Sequence, residues 1–183
     1  LYIGDTLHVD LTTGDTYREP IEDVVVQNYI GGYGICNKLA YDLIPAGVDP
    51  LSPENTIIFG AGTLGGTLAP ASSKIAAITR FPLNGHIGTS VAGSGGDVLR
   101  QAGYSHIIVT NESETPIFLN IYDDQVELCD AQELWGKDIW QTTDELRQRY
   151  GDGCSVIAIG LAGEKLSRMS MTFANKIGSL GKG

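Results

Sequence analysis

Residues 6 to 11 alternate as Thr-Leu-His-Val-Asp-Leu, the pattern of a half-buried strand, and Thr12-Thr13-Gly14-Asp15 predicts a turn that returns the chain as a second strand over 16–19. Pro20 with the acidic pair Glu22 and Asp23 predicts a short helix through Tyr29, stopped by Gly31 and Gly32. Apolar residues at helical spacing over 35–43 predict a second helix, which Pro45 ends. Thr56-Ile57-Ile58-Phe59 is apolar enough for a strand buried on both faces, and 74–80 predicts another before the turn at Pro82-Leu83-Asn84-Gly85. Ile87 then leads to Ser94-Gly95-Gly96, where a helix begins near Asp97 and ends at Gly103.

The second half has the same texture with fewer glycines. Strands are expected over 105–110 and 116–122, with Asp123-Asp124 turning the chain into a returning strand over 126–129. A short helix or turn follows at 131–135. An amphipathic helix is expected over 142–150, capped by Thr142 or Thr143 with Glu145 in its first turn, and further strands over 155–159 and 169–173. Strands in clusters with few helices between them favour an α+β fold over regular βαβ alternation, and a mixed sheet stays open.

Length makes this one domain, 1–183, built from two related halves, with 42% hydrophobic residues to supply a core. Net charge of -10 repels a phosphate backbone, so neither nucleic acid nor an anionic membrane is an expected partner. No apolar run approaches the roughly 20 residues that span a bilayer. Leu1 to Asp10 lacks the basic start and apolar core of a signal peptide, so a cytoplasmic protein is expected. Cys36, Cys129 and Cys154 are odd in number and far apart, which suits small packed side chains rather than a disulfide framework or a metal pair. A leucine at position 1 and a glycine-rich end suggest a piece of a longer chain.

Glycine, 24 residues in short clusters, marks the candidate chemistry. Ser94-Gly95-Gly96 ahead of a helix offers backbone N–H groups to a phosphate, the alternative being a plain tight turn. Gly62-Thr63-Leu64-Gly65-Gly66-Thr67 follows a strand, but its spacing is not that of a dinucleotide fingerprint and no helical pattern follows. His8 and His106 read as exposed strand positions; His86, on a turn, is the one histidine kept as a candidate. Lys74 and Lys182, basic residues beside loops of small residues in an acidic chain, are the better candidates, because a phosphate held by N–H groups gains from a cation.

Several segments, in order, carry a family resemblance: Leu-His-Val-Asp-Leu-Thr-Thr-Gly-Asp at 7–15, Asp-Pro-Leu-Ser-Pro-Glu-Asn at 49–55, Phe-Pro-Leu-Asn-Gly at 81–85, Gln-Ala-Gly-Tyr at 101–104, Leu-Trp-Gly-Lys-Asp at 134–138 and Ile-Gly-Leu-Ala-Gly-Glu at 159–164. The chain resembles the N-terminal domain of the tungsten-containing aldehyde:ferredoxin oxidoreductases. The resemblance implies an α+β unit of two similar halves, with mostly antiparallel or mixed sheets and a few short helices, on which a tungstopterin or molybdopterin lies. Downstream helical domains of the same parent chain would complete the pocket and hold a [4Fe-4S] cluster whose ligands are not in this sequence. Ferredoxin would accept the electrons, and a homodimer is a further partner.

Position by position, the resemblance places Lys74 where the family has an arginine between pterin and cluster, and aligns Gly93, Ser94 and Gly95 with the loop that meets the pterin phosphates, next to Gly96. The carbonyls of Gly93 and Ser179 correspond to two that hold a Mg²⁺ bridging those phosphates. Gly178 stands at another phosphate-site arginine, Lys182 at the arginine of a terminal Gly-Arg-Gly, and Tyr33 at that of an early Gly-Gly-Arg-Gly. The implied activity is oxidation of an aldehyde to a carboxylic acid, with this domain binding the cofactor and not active alone. The competing reading is a diverged, non-catalytic scaffold that keeps the fold without the metal-pterin.

Overall fold

The computed structural model describes residues 4–181. β1 (Asp5–Asp10) and β2 (Thr16–Glu19) form the expected hairpin, followed by α1 (Asp23–Tyr29) and α2 (Tyr33–Leu43). β3 (Ile57–Ala61), β4 (Ile75–Arg80), β5 (Ile87–Ala92), α3 (Gly96–Gln101) and β6 (Tyr104–Thr110) complete the first part. β7 (Ile117–Tyr122), β8 (Gln125–Asp130), α4 (Ile139–Tyr150), β9 (Ile157–Ala158), α5 (Leu161–Glu164), β10 (Thr172–Ala174) and β11 (Gly178–Leu180) make up the second.

Six strands form one mixed sheet in the order β2-β1-β6-β3-β4-β5. β1 pairs parallel to β6, and every other pairing in it is antiparallel. The later strands form the β7-β8 hairpin and a small sheet β11-β10-β9. The α+β class with mixed and antiparallel sheets is therefore what the sequence forms, although the strands divide unequally between its two parts.

Alternation sorts the large sheet's side chains onto two cores. Ala76, Ile78, Ile58 and Ile108 face α2, whose Cys36 and Ala40 lie one turn apart and pack down onto them with Ile44. Leu7, Val9, Ile75, Ala77 and Ile107 face the other way, against Leu99 of α3 and against Ala174 and Leu180 of the small sheet. Each fully buried Ile or Leu removes enough apolar area to contribute about 1.5–3 kcal/mol. A third cluster, Ala131, Leu134, Leu146 and Val156, seats α4.

Three local expectations change. α4 starts earlier than expected: Asp138 accepts from the Gln141 N–H at 2.8 Å while the Gln141 side chain accepts from the Asp138 N–H, a reciprocal cap. Thr142 and Thr143 are buried inside the helix, with the Thr143 hydroxyl donating to the Ile139 carbonyl. β5 and β11, where no strand was expected, are strands.

His106 differs most. Expected at an exposed strand position, it is fully buried because β6 is an interior strand covered on both faces. Its Nδ1 lies 2.9 Å from the Ser105 Oγ, and the ring faces the Gly32 carbonyl. Burial pushes its pKa from 6.5 to about 4, opposed by the Gly32 carbonyl and reinforced by the positive Arg100. Burial also pushes the Cys36 thiol up to about 12, which leaves it an inert packing group.

Because the unfolded chain binds the His106 proton from pH 6.5 downward and the folded chain only near pH 4, stability falls as pH drops through that window. The loss is on the order of 3 kcal/mol. Urea midpoints measured from pH 7 to pH 4 should show this acid slope, and His106→Gln should flatten it. An equal slope in both proteins would assign the acid sensitivity to other groups.

Candidate functional site

Three segments far apart in sequence meet at the end of β5. The first is the stretch before β4, where the Ser73 carbonyl accepts from the Gly96 N–H at 2.9 Å and the Lys74 carbonyl lies where a Cβ on Gly96 would stand. The Lys74 side chain is exposed. The second is the loop 93–96 itself. The third is the turn 175–177 between β10 and β11, with β11 running on from it.

Gly93 and Gly178 form the closest contact. A Cβ on Gly178 would overlap the Gly93 nitrogen and Cα, and one on Gly93 would come within 2.7 Å of the Ala174 Cβ. Gly93 also has φ of 62°, in the left-handed region that glycine takes without strain. The arginine that the resemblance puts at position 178 thus has no room on this backbone. The main-chain site here differs from an arginine-bearing one in shape as well as in charge.

Asn175 ties the segments together. Its amide nitrogen donates to the Ser94 carbonyl and hydroxyl, both at 3.1 Å, and to the Ser155 hydroxyl at 2.8 Å. Its Oδ1 accepts from the Val156 N–H at 2.8 Å and from the Arg147 guanidinium at 3.2 Å. Asn175 has φ of 51°, a conformation that asparagine tolerates better than most residues. Neither Asn175, Ser155 nor Arg147 stood out in the sequence. The one local signal was an asparagine three residues ahead of Gly178.

The loop presents fewer donors than the sequence suggested. The Gly95 N–H is held by the Asp97 carboxylate at 3.2 Å, and the Gly96 N–H by Ser73. α3 has six residues, so the anchoring groups are those of the loop and not of a helix start. The N–H groups of Gly93 and Ser94 donate to no acceptor among the described residues.

Of the residues singled out, Lys74, Gly93, Ser94, Gly95, Gly96, Gly178 and Ser179 lie on the converging segments. Gly178 is buried in β11, and Ser179, opposite Phe173 of β10, is exposed. Lys182 lies outside the described residues. His86 does not join the group: it is exposed at the far end of β5, about 20 Å of strand away. His8 stacks on Tyr17 with ring centroids 4.3 Å apart and lies 3.2 Å from Glu19, an arrangement at the β1-β2 edge. The early glycines reach the other glycine loop: a Cβ on Gly32 would sit 3.0 Å from the Gly62 Cα, which leaves Tyr33 exposed at the start of α2. Among the described residues, no three His, Cys, Asp or Glu side chains group as metal ligands. No helix among them is long and apolar enough to cross a membrane.

Residues 6–183 match the family described as aldehyde ferredoxin oxidoreductase, N-terminal domain. The tungsten-containing aldehyde ferredoxin oxidoreductase of Pyrococcus furiosus is 34% identical over 98% of this chain, and that of Pyrococcus abyssi 36% identical over all of it. The chain spans 30% of the length of each. The solved active site complex BamBC of benzoyl coenzyme A reductase, bound to 1,5-dienoyl-CoA, superposes with a TM-score of 0.93 at 32% identity, covering 98% of this chain and 28% of that one. A match over nearly every residue, with the fold agreeing as closely as the sequence, means that the chain belongs to the aldehyde ferredoxin oxidoreductase family, as its N-terminal domain.

Proposed function

We propose that this domain binds and orients a tungsten- or molybdenum-pterin through its phosphates, within a cytoplasmic oxidoreductase that passes electrons to ferredoxin. The observation that carries the reading is the convergence of 73–74, 93–96 and 175–179 on one loop, whose glycines let these segments approach closely and whose Gly93 and Ser94 N–H groups have no acceptor among the described residues.

The residues fit a phosphate-bearing group. The Gly93 and Ser94 N–H groups are donors without acceptors among the described residues, and the exposed Lys74, whose carbonyl lies against Gly96, adds a positive charge to this end of the sheet. A lysine gives point charge in place of an arginine's two-pronged grip. The carbonyls of Gly93 and Ser179 would hold a Mg²⁺ between phosphates, since that hard cation takes neutral oxygen ligands and a main-chain ligand tolerates a changed side chain. When bound, the metal-pterin supplies two-electron oxidation of an aldehyde to a carboxylic acid, with a [4Fe-4S] cluster in the rest of the parent chain as the electron exit. The role of this domain's own residues is to bind and position that group.

A second reading, reduction or oxidation of an acyl-coenzyme A ring, is favoured by the benzoyl coenzyme A reductase complex, which is nearly as identical to this chain as the aldehyde enzymes are. The full-length protein should oxidise aldehydes with a ferredoxin or viologen acceptor. Turnover of dienoyl-CoA without aldehyde oxidation would replace the substrate assignment.

Purified without oxygen, the full-length protein should contain stoichiometric tungsten or molybdenum with about four irons. Metal-free protein from supplemented cells would instead support the non-catalytic scaffold. Lys74→Ala should lower the retained tungsten several-fold at an unchanged melting temperature, as expected for losing one exposed charge-assisted contact. A lower melting temperature with full metal content would make Lys74 structural.

A further inference from the structure

Asn175 makes its hydrogen bonds in one orientation only. Its Oδ1 accepts from the Val156 N–H and the Arg147 guanidinium, so a flipped amide would set its NH₂ against two donors. The nitrogen is thereby fixed toward Ser94 and Ser155. An amide nitrogen has no lone pair to offer, so of its two protons one goes to the Ser155 hydroxyl and the other is shared between the Ser94 carbonyl and hydroxyl, and both serine hydroxyls accept. Each hydroxyl keeps its own proton, and among the described residues neither proton has an acceptor.

Ser155 reaches this position only because position 95 is glycine. A Cβ there would overlap the Ser155 Oγ, and the backbone φ of 126° already excludes ordinary side chains. Ser155 belongs to the segment entering β9, whereas the loop belongs to the large sheet, so the two donors are brought side by side across the join between the sheets. The guanidinium of Arg147 places positive charge behind the amide, which polarises it toward the serines.

We propose that the Ser155 hydroxyl, oriented by Asn175, is a further donor to the anionic ligand of the 93–94 loop, taking an oxygen of the same phosphate group beside the Gly93 and Ser94 N–H groups and the Ser94 hydroxyl. Donors whose protons have no protein acceptor suit an unprotonated phosphate oxygen better than a neutral group. The inference rests on the phosphate-binding reading above. It makes Gly95 a spacer for Ser155, and it makes Asn175 a positioning residue that aims two hydroxyls.

The test uses the full-length protein with Ser155→Ala, Asn175→Asp and Lys74→Ala, measuring the tungsten retained during dialysis and the melting temperature of each. Ser155→Ala should lose tungsten about tenfold faster, the effect of one hydrogen bond to a charged group, at the wild-type melting temperature. Asn175→Asp keeps an acceptor for Val156 and Arg147 and removes the donor, so it should also lose tungsten faster; if it does not fold, Ser155→Ala decides alone. Wild-type retention in Ser155→Ala beside rapid loss in Lys74→Ala would overturn this inference and leave the phosphate reading standing. Wild-type retention in both would overturn the two together. Loss of tungsten in Ser155→Ala that only follows a lowered melting temperature would make Ser155 a packing residue and also overturn it.

Discussion

The backbone of Gly178 lies directly against that of Gly93, and the join between the large sheet and the small one is set by that contact. With no Cβ at either position, β11 approaches the end of β5 closely enough for Ala174 and Leu180 to enter the apolar core on that face of the large sheet. The same approach brings the turn at 175 within hydrogen-bonding reach of Ser94. Packing and the candidate site therefore depend on one steric condition, and a side chain at either glycine would push the sheets apart before any ligand was involved.

Polar groups at this join are tied together mainly by one neutral amide. Asn175 alone serves Ser94, Ser155, Val156 and Arg147, which fixes the loop without a buried ion pair and its desolvation cost. Of the neighbouring cations, Lys176 is paired with Asp144 on α4, and Asp97 brings a negative charge to the loop. On the proposed reading, an anion would be held here, in a chain of net charge -10, by oriented N–H and O–H groups, with Lys74 as the exposed supplement. Such binding would be local dipole recognition and would owe little to long-range attraction.

Beneath the loops, the central strand β6 explains why the sheet tolerates a buried histidine. It pairs parallel with β1 on one side and antiparallel with β3 on the other, and one apolar core packs on each of its faces, so residues 104–108 are buried. His106 stays neutral there, with Gly60 of β3 leaving space for the ring, and that interior position is not reached by the loop's chemistry.

The sequence by itself determined most of the elements and the class. Alternation at 6–11, the strand-like run at 116–122, the helical spacing of Ile35, Cys36 and Ala40, and the turn residues at 12–15 and 123–124 act between near neighbours, so their meaning survives without the fold. The ordered motifs pointed to the family and to the glycine loops. Tertiary structure alone decided the rest. The parallel pairing of β1 with β6 joins residues about a hundred positions apart, and nothing in either segment specifies its partner. His106 is buried because of where its strand lies in the sheet order, not because of its neighbours in sequence. The N–H groups of Gly95 and Gly96 turn inward because Asp97 and Ser73 are there to accept them, and Asn175 becomes the organising amide because Ser94, Ser155 and Arg147 arrive around it from three different segments. Local pattern fixes what a segment can become, whereas hydrogen bonds between distant segments exist only once the chain has closed on itself.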